Sequence, residues 1–290
     1  MARAFGLFIV GDEILSGKRQ DQHFEKVKSI LAVRGLALSW VHYLGDDRAR
    51  CVRALRSSFA SGDVVLSCGG IGATPDDHTR QAAAEALGLG LELHPEAERL
   101  IRQRSAEMGQ PATDDRLRMG EFPVGAHIIP NPYNKIPGFC VQEHYFCPGF
   151  PVMAWPMIEW VLETYYHSEF RQAAEFDRSM IVHQLFEATV TSLMRMLTEK
   201  YPELKIYSLP SAGDDGKPKH IELGVKAQGA KGQRGKVGAV GVGAVGIQSG
   251  QDGGGVAGGP PASLQSAYEE FKAGVVALGG VVVEERDVTR

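Results

Sequence analysis

Hydrophobic residues in the N-terminal part of the chain form short runs separated by amphipathic stretches. Residues 5–10 and 64–68, the first and third predicted strands, are continuous apolar runs, which are typical of strands buried on both faces of a sheet, and residues 36–44 form the second predicted strand. Between these runs, apolar residues recur at helical spacing within 24–31 and 52–59. This alternation predicts an α/β fold with a mainly parallel sheet.

The order of the predicted elements changes in the second half of the chain. Residues 153–166 form an amphipathic helix, and residues 168–176 have the composition of a linker, so we place a domain boundary at residue 170. After it the pattern predicts the order β-α-β-β-α-β, which is that of a ferredoxin-like fold. We therefore expect one domain in residues 1–170 and a small α+β domain in residues 171–290.

A glycine-rich insert interrupts the predicted small domain between its third strand and its second helix. It spans residues 227–262, where glycine is mixed with alanine and valine. Because glycine loses much backbone entropy on ordering, we expect a mobile loop. Its valines leave open a second interpretation, a segment that binds a partner.

Composition and charge exclude several classes of protein. The 31 basic and 35 acidic residues give a formal net charge of −4, without the clustered excess of basic residues that nucleic-acid binding requires. No apolar stretch reaches the length of a membrane span, and the run at residues 5–10 is too short for a signal peptide. None of the cysteines belongs to a C-x-x-C pair: Cys51, Cys68, Cys140 and Cys147. We expect a cytoplasmic protein with no nucleic-acid or membrane partner.

The strongest candidate site follows the third predicted strand. Three glycines precede the helix predicted for residues 76–87: Gly69, Gly70 and Gly72. Such glycines let backbone N–H groups approach an anion at a helix N-terminus. Asp76 and Asp77 in the same turn would repel a phosphate, so a phosphate site here requires a divalent cation. Mg²⁺ fits, since it is usually held by one or two carboxylates and substrate phosphates.

Helix capping is the alternative interpretation of this segment. Thr74 at the N-cap, Pro75 at the first helical position and Asp77 three residues after Thr74 form a variant of the capping box. Capping explains these polar residues, but it does not explain the glycines that precede them.

Polar residues also follow the first two predicted strands. Asp12 and Glu13 come after Gly11 at the end of the first strand, and Asp46 follows the second. Open α/β sheets bind ligands at the carboxyl ends of their strands, so these residues and the glycine motif are expected to converge. Each segment taken alone is more typical of a solvated turn or a helix cap than of a ligand site.

Two further segments flank a predicted hairpin, residues 131–139 and 147–151. Both have the composition of ordinary turns. Lys135 in the first segment offers a positive charge that would neutralise a ligand phosphate.

Five motifs, in order and spacing, resemble the MoaB/Mog molybdopterin-binding domain, and most of all its CinA branch. They are Gly11-Asp12-Glu13-Ile14-Leu15, Asp46-Asp47, Gly69-Gly70-Ile71-Gly72 with Asp76-Asp77, Pro137-Gly138, and Pro148-Gly149-Phe150-Pro151. The resemblance covers residues 3–165, and the C-terminal part resembles the small domain of CinA-type proteins in topology and position only. The chain has no segment like the nicotinamide-nucleotide amidase domain of full-length CinA proteins, so we expect no deamidation.

The resemblance implies a three-layer α/β fold that binds molybdopterin or a nucleotide pyrophosphate at the carboxyl ends of its strands. The Mog branch transfers an adenylyl group to molybdopterin with Mg²⁺, and the CinA branch hydrolyses ADP-ribose with a metal ion. By this resemblance Asp46 and Asp77 are catalytic and metal-linked, and Asp76 lies beside the same cation. From the residue patterns and the resemblance together, the candidate ligand-binding residues are Gly11, Asp12, Glu13, Gly69, Gly70, Gly72, Thr74, Lys135, Pro137, Gly138, Pro148 and Gly149. Members commonly form dimers or trimers, which implies a homo-oligomer.

The chain departs from the CinA pattern at three places. His23 stands where that branch usually has Asn, Lys135 lies in a turn that is otherwise Gly-Thr-Ala-Pro-Gly, and residues 152–154 lack the usual carboxylate. The lost acid and the gained lysine would change which phosphates are tolerated. Three functions remain open: a Mg²⁺-dependent nucleotide pyrophosphatase, a pterin- or nucleotide-binding module without catalysis, and a scaffold that acts through the small domain.

Overall fold

The chain divides into two compact units, Met1–Phe170 and Arg171–Arg290. The computed structural model describes residues 3–171, 175–213, 218–228 and 259–289. Within these ranges, no helix combines the length and the hydropathy needed to span a bilayer.

A six-stranded sheet forms the centre of the first unit. The strands of this unit are β1 (Phe5–Val10), β2 (Leu38–Leu44), β3 (Val64–Cys68), β4 (Leu91–Leu93), β5 (Glu121–Pro123), β6 (His127–Ile129), β7 (Gly138–Val141) and β8 (His144–Cys147). The central sheet has the order β2-β1-β3-β8-β7-β6, and β4 and β5 form a separate ribbon. Strands β2, β1, β3 and β8 are parallel, whereas β7 is antiparallel to both of its neighbours. The carboxyl ends of the four parallel strands therefore lie along one edge, which we call the carboxyl edge.

Helices cover both faces of this sheet. They are α1 (Asp12–Leu15), α2 (His23–Val33), α3 (Arg48–Ser61), α4 (Thr79–Leu87), α5 (Pro95–Glu107), α6 (Asp114–Leu117) and α7 (Pro151–Tyr165), with short 3₁₀ turns at Arg118–Gly120 and His167–Glu169. Helices α2 and α7 pack on one face, and α3, α4 and α5 pack on the other. The predicted three-layer fold with a mainly parallel sheet is confirmed.

Strand β1 shows why a continuous apolar run predicts a central strand. Phe5, Leu7 and Ile9 point to the core shared with α2 and α7, whereas Phe8 and Val10 point to the opposite core. All of these side chains are buried. Because successive side chains alternate between two cores, both sets of positions must be apolar.

The second unit has the predicted β-α-β-β-α-β order. Its elements are β9 (Glu175–His183), α8 (Glu187–Lys200), β10 (Lys205–Ser211), β11 (His220–Gln228), α9 (Ala262–Ala277) and β12 (Val281–Thr289). The sheet order is β10-β11-β9-β12, and all adjacent strands are antiparallel. Side chains such as Met180 and Leu223 pack on Leu197 of α8 and Phe271 of α9.

The ends of the predicted insert at 227–262 belong to regular elements. Strand β11 continues through Gln228 and helix α9 begins at Ala262, so both extend further than the sequence pattern predicts. Residues 229–258, and with them the expectation of a mobile loop, lie outside the described residues.

Candidate functional site

Gly69 is the point where three strand ends of the carboxyl edge meet. It follows β3, its N–H donates to the carbonyl of Cys147 at 3.0 Å, and it has φ +109°. A Cβ atom at this position would lie 2.1 Å from the carbonyl oxygen of Val10, at the end of β1. On the other side, a Cβ atom at Gly149 would lie 3.4 Å from the Cα of Gly69. Only glycine permits this approach of the ends of β1, β3 and β8.

Thr79 anchors the glycine loop to the start of α4. Its N–H donates to the carbonyl of Gly70 at 3.0 Å, and its hydroxyl donates to the carbonyl of Gly69 at 3.1 Å. Thr79 is 2% exposed, and a Cβ atom at Gly70 would collide with its hydroxyl. The sequence pattern did not single out Thr79, since its partners are defined only by the folded loop.

The predicted start of the helix at Asp76, and Thr74 as its N-cap, are wrong. Helix α4 begins at Thr79, and residues 74–77 instead form a turn that closes on itself. The N–H of Asp77 donates to the carbonyl of Thr74 at 3.0 Å, while Asp77 Oδ2 accepts from the N–H of Thr74 at 2.9 Å and from its hydroxyl at 2.5 Å. The reciprocal pairing typical of a capping box exists in part, but it stabilises a turn ahead of the helix.

Asp12 and Asp46 converge as the sequence predicts for neighbouring strand ends. The N–H of Asp12 donates to Asp46 Oδ2 at 2.9 Å, and the N–H of Asp46 donates to Asp12 Oδ1 at 3.2 Å. A Cβ atom at Gly45 would lie 2.3 Å from Asp12 Oδ1, so glycine at this position makes room for the carboxylate. Each aspartate thus orients the other through the backbone.

Gly11 and Glu13 complete this part of the edge. The N–H of Gly11 donates to the carbonyl of Leu44 at 2.9 Å, which joins the ends of β1 and β2. The carboxylate of Glu13 folds back over Gly11, where a Cβ atom would lie 2.4 Å from Glu13 Oε2.

The electrostatics of the edge depend on several carboxylates. Partial burial raises the pKa of Asp46, and the negative charges of Asp12, Glu13 and Asp76 add to this rise, while the hydrogen bond from the Asp12 backbone opposes it. Asp76 is therefore the aspartate of the glycine motif whose charge acts on Asp46. Within the described ranges, none of the ion pairs involves these four carboxylates.

Asp77 has different surroundings from Asp76. Its carboxylate lies over Gly72, where a Cβ atom would be 2.5 Å from Asp77 Oδ2. Its negative charge also acts on Arg80, which is 2% exposed and donates from Nη2 to the carbonyl of Gly72 at 2.6 Å and from Nη1 to that of Arg118. Burial lowers the pKa of Arg80, and Glu121 and Asp77 oppose this effect. Sequence reasoning missed Arg80, because arginine is rarely buried and its partners are distant backbone atoms.

The site residues after β6 and β8 are held by the scaffold. A Cβ atom at Gly138, which follows Pro137 and begins β7, would lie 2.3 Å from the carbonyl oxygen of Phe146, so this position requires glycine. Gly149, which follows Pro148, accepts a hydrogen bond from Nε2 of the buried His23 at 2.9 Å.

Lys135 pairs with a carboxylate of the protein itself. Its ammonium lies 2.5 Å from Glu107 Oε1 of α5, and its backbone has φ +66°. The predicted contact of Lys135 with a ligand phosphate stays a prediction.

A divalent cation is compatible with the edge, although the protein alone does not supply a full set of ligands. Among the described residues, no group of three or more His, Cys, Asp and Glu side chains has the arrangement of a metal site. Mg²⁺ commonly binds to one or two carboxylates and keeps waters and phosphate oxygens as its other ligands. Asp46 and Asp76, which have no basic partner among the ion pairs described, fit that mode of binding.

Comparison with known proteins identifies the family. Residues 6–167 match the family model described as the probable molybdopterin binding domain, and the chain belongs to this family. A protein of Pyrobaculum calidifontis is 30% identical over 208 residues, which cover 70% of this chain and 79% of that protein. A CinA-like protein of Anaeromyxobacter sp. (strain Fw109-5) is 36% identical over 146 residues, which cover 49% of this chain and 36% of the relative.

A solved structure supports the same assignment for the first unit. The CinA protein of unknown function from Thermoplasma acidophilum aligns with a TM-score of 0.51 and 25% identity, over 56% of this chain and 98% of that chain. The predicted resemblance to the CinA branch of the MoaB/Mog domain is confirmed.

Proposed function

We propose that the first unit binds a phosphate-bearing pterin or nucleotide along its carboxyl edge, with Mg²⁺ or another divalent cation between carboxylates and phosphate. One observation carries this proposal: the close-packed glycine backbone at Gly69 lies one strand away from Asp12 and two strands away from Asp46, and these two aspartates hold each other without a basic side chain. The description of the family supports the ligand class.

The carboxylates make the cation necessary. A phosphate at the glycine loop would meet the negative charges of Asp46 and Asp76; the pKa of Asp46 is already raised, mainly by burial, and the charge of Asp76 adds to this rise. Mg²⁺ bound there would supply electrostatic stabilisation of charge on the phosphate oxygens. Asp46 would hold the cation with its carboxylate, and the N–H of Asp12 fixes the orientation of that carboxylate.

The residues of the glycine motif take separate roles in this proposal. Asp76 contributes negative charge that acts on Asp46. Thr79 and Arg80 fix the glycine loop by donating hydrogen bonds to the carbonyls of Gly69 and Gly72. Asp77, which the family resemblance implies as catalytic, holds the turn at Thr74 through Oδ2, so a cation would compete with Thr74 for this oxygen.

The catalytic form of the proposal is hydrolysis of a nucleotide pyrophosphate such as ADP-ribose. Water would add to the anhydride, and cleavage of one P–O bond would release AMP and ribose 5-phosphate. Two observations favour the second candidate, binding without catalysis: Asp77 is engaged by Thr74, and residues 152–154 carry no carboxylate.

Release of AMP tests the proposal. The protein is incubated with ADP-ribose, FAD or NAD in Mg²⁺ or in EDTA, and we expect AMP from ADP-ribose in Mg²⁺ only. Asp46→Asn should lower the rate about a hundredfold, the typical effect of losing a key electrostatic group. Asp47→Asn is the matched control, because Asp47 caps α3 through a 2.7 Å bond from the N–H of Arg50, and asparagine caps equally well.

The outcomes separate the candidates. Tight binding in calorimetry without AMP release would select the non-catalytic module. Absence of both binding and turnover with every one of these ligands and with molybdopterin would contradict the proposal.

A further inference from the structure

Large apolar side chains are exposed in the connections at the carboxyl edge. Phe150 is 55% exposed, Tyr133 is 61% exposed and Leu15 is 56% exposed. The three residues follow different strands, β8, β6 and β1. Single exposed hydrophobic residues are common, so the positions of these side chains decide whether they have a role.

Phe150 is held next to the glycine loop. It directly follows Gly149, which contacts Gly69 and accepts a hydrogen bond from His23. The carbonyl of Phe150 accepts from the N–H of Ala154 at 2.9 Å in the first turn of α7. The backbone is therefore fixed on both sides, while the aromatic ring remains open to solvent.

Tyr133 lies on a loop that is fastened to the same helical turn. The buried side chain of Asn131 accepts from the N–H of Tyr133 at 3.0 Å and donates to Asn134 Oδ1 at 2.8 Å. Asn134 in turn contacts Met153 Sδ of α7 at 3.4 Å. The loops that carry Phe150 after β8 and Tyr133 after β6 are thus both fixed to the first turn of α7.

The strand order places Asp46 and Phe150 at opposite ends of the candidate site. Along the edge the sequence of strands is β2, β1, β3 and β8, so Asp46 after β2 and Phe150 after β8 stand at opposite ends. Three strand spacings separate these ends, or about 14 Å. Asp12, Glu13 and Asp46, which have no basic partner among the ion pairs described, lie towards one end, the exposed Phe150 and Tyr133 lie towards the other, and the glycine loop at Gly69 lies between them.

We infer that Phe150, supported by Tyr133, stacks on the flat heteroaromatic ring of the ligand, while its phosphates lie between Gly69 and Asp46. The inference rests on the proposed function and adds which side chains hold the ring of the ligand, whether that ring is a nucleobase or a pterin. Stacking of a base on an aromatic side chain contributes about 1–3 kcal/mol by alanine substitution, so its loss is measurable.

Calorimetry in Mg²⁺ with three probes tests the inference. The probes are inorganic pyrophosphate, which has no ring, ADP-ribose, and dihydroneopterin triphosphate. Phe150→Ala should weaken binding of a ring-bearing probe about tenfold or more and leave pyrophosphate binding unchanged. Phe150→Trp should keep the affinity. Phe186→Ala is the matched control, because Phe186 is an exposed phenylalanine of the second unit.

The outcomes distinguish failure of the stacking inference from failure of the proposed function. If Phe150→Ala weakens the binding of ADP-ribose more, the site takes a nucleobase, and if it weakens the binding of dihydroneopterin triphosphate more, the site takes a pterin. Either result supports the inference. Ring-bearing probes that bind no better than pyrophosphate, or an affinity unchanged in Phe150→Ala, would overturn the inference while the phosphate site stands. Failure of the unmutated protein to bind any of the three probes would overturn the proposed function as well.

Discussion

Carboxylates at the carboxyl edge of the first unit and on the surface of the second unit are stabilised in different ways. At the carboxyl edge of the first unit, Asp12 and Asp46 accept hydrogen bonds from backbone N–H groups. In the second unit, carboxylates pair with basic side chains: Glu222 with Arg286, Glu270 with Lys200, and Glu285 with Lys272. The pKa values move accordingly, since that of Asp46 is raised, whereas hydrogen bonds from lysine lower those of Glu270 and Glu285.

This difference teaches where to look for function. Surface ion pairs of the second unit satisfy their own charges and leave nothing for a ligand to neutralise. Negative charge that accumulates without a basic partner costs stability, and groups with perturbed pKa values of this kind are typical of binding sites. The contrast between the carboxyl edge and the second unit can be tested by substitutions that change the backbone at the edge and by substitutions that remove a carboxylate, with stability measured as a function of pH.

The largest effect is expected from Gly69→Ala. Its Cβ atom would lie 2.1 Å from the Val10 carbonyl at φ +109°, so the strand ends must separate. We expect a loss of about 3 kcal/mol or more in the free energy of unfolding, from strain together with overpacking. Urea denaturation followed by tryptophan fluorescence measures it, because Trp40, Trp155 and Trp160 all lie in the first unit.

Gly62→Ala is the control for this substitution. Gly62 also has a left-handed backbone, with φ +75°, but no atom lies within 4 Å of a Cβ placed there. Its cost should be about 1 kcal/mol. Equal losses for the two variants would show that the strand ends at Gly69 are not tightly packed.

A smaller effect of opposite sign is expected from Asp46→Asn without ligand. Because the folded state raises the pKa of Asp46, the ionised carboxylate destabilises the fold, and this cost is fully present above the raised pKa. Thermal unfolding at pH 7 should show a midpoint raised by at most about 3 °C. The difference from the unmutated protein should vanish as the pH falls below the ordinary aspartate pKa of about 3.9.

Asp47→Asn serves here too as the control. It removes the same charge from a helix N-cap, where negative charge is favourable, and it should not raise the midpoint. A lowered midpoint for Asp46→Asn at pH 7 would contradict the view that ligand-free Asp46 is a destabilising charge.

The smallest effect is expected from Glu285→Gln in the second unit. Lys272 and the hydroxyl of Tyr268 donate to Glu285 at 2.7 and 2.8 Å and lower its pKa. The stabilisation is present above the ordinary glutamate pKa of about 4.3 and is lost as the pH falls through the lowered value. Circular dichroism should show a midpoint lowered by at most about 2 °C at pH 7, since the pair is largely exposed. A raised midpoint would remove the contrast between the units.

The sequence predicts those features that depend on local pattern and sheet topology. The continuous apolar runs of β1 and β3 identify buried parallel strands. Parallel strands bring their ends to one edge, which is why Asp12 and Asp46 converge. The order of the small domain likewise follows from its pattern of strands and helices.

Other features depend on contacts between distant segments and carry no local signal. Helix α4 starts at Thr79 because the preceding turn closes on Thr74 and because Thr79 bonds to the glycine loop. The buried Arg80 is explained only by the carbonyls of Gly72 and Arg118, which the fold brings to it. The turn at residues 74–77 also decides which of the two adjacent aspartates, Asp76 or Asp77, exerts its negative charge on Asp46.

Calorimetric titration of the unmutated protein with ADP-ribose, in Mg²⁺ and in EDTA, tests the central claim most directly. The carboxylates at Asp46 and Asp76 predict binding that requires the cation, so affinity should be measurable in Mg²⁺ and lost in EDTA. Equal affinity under the two conditions would contradict a site in which a cation separates carboxylates from phosphate.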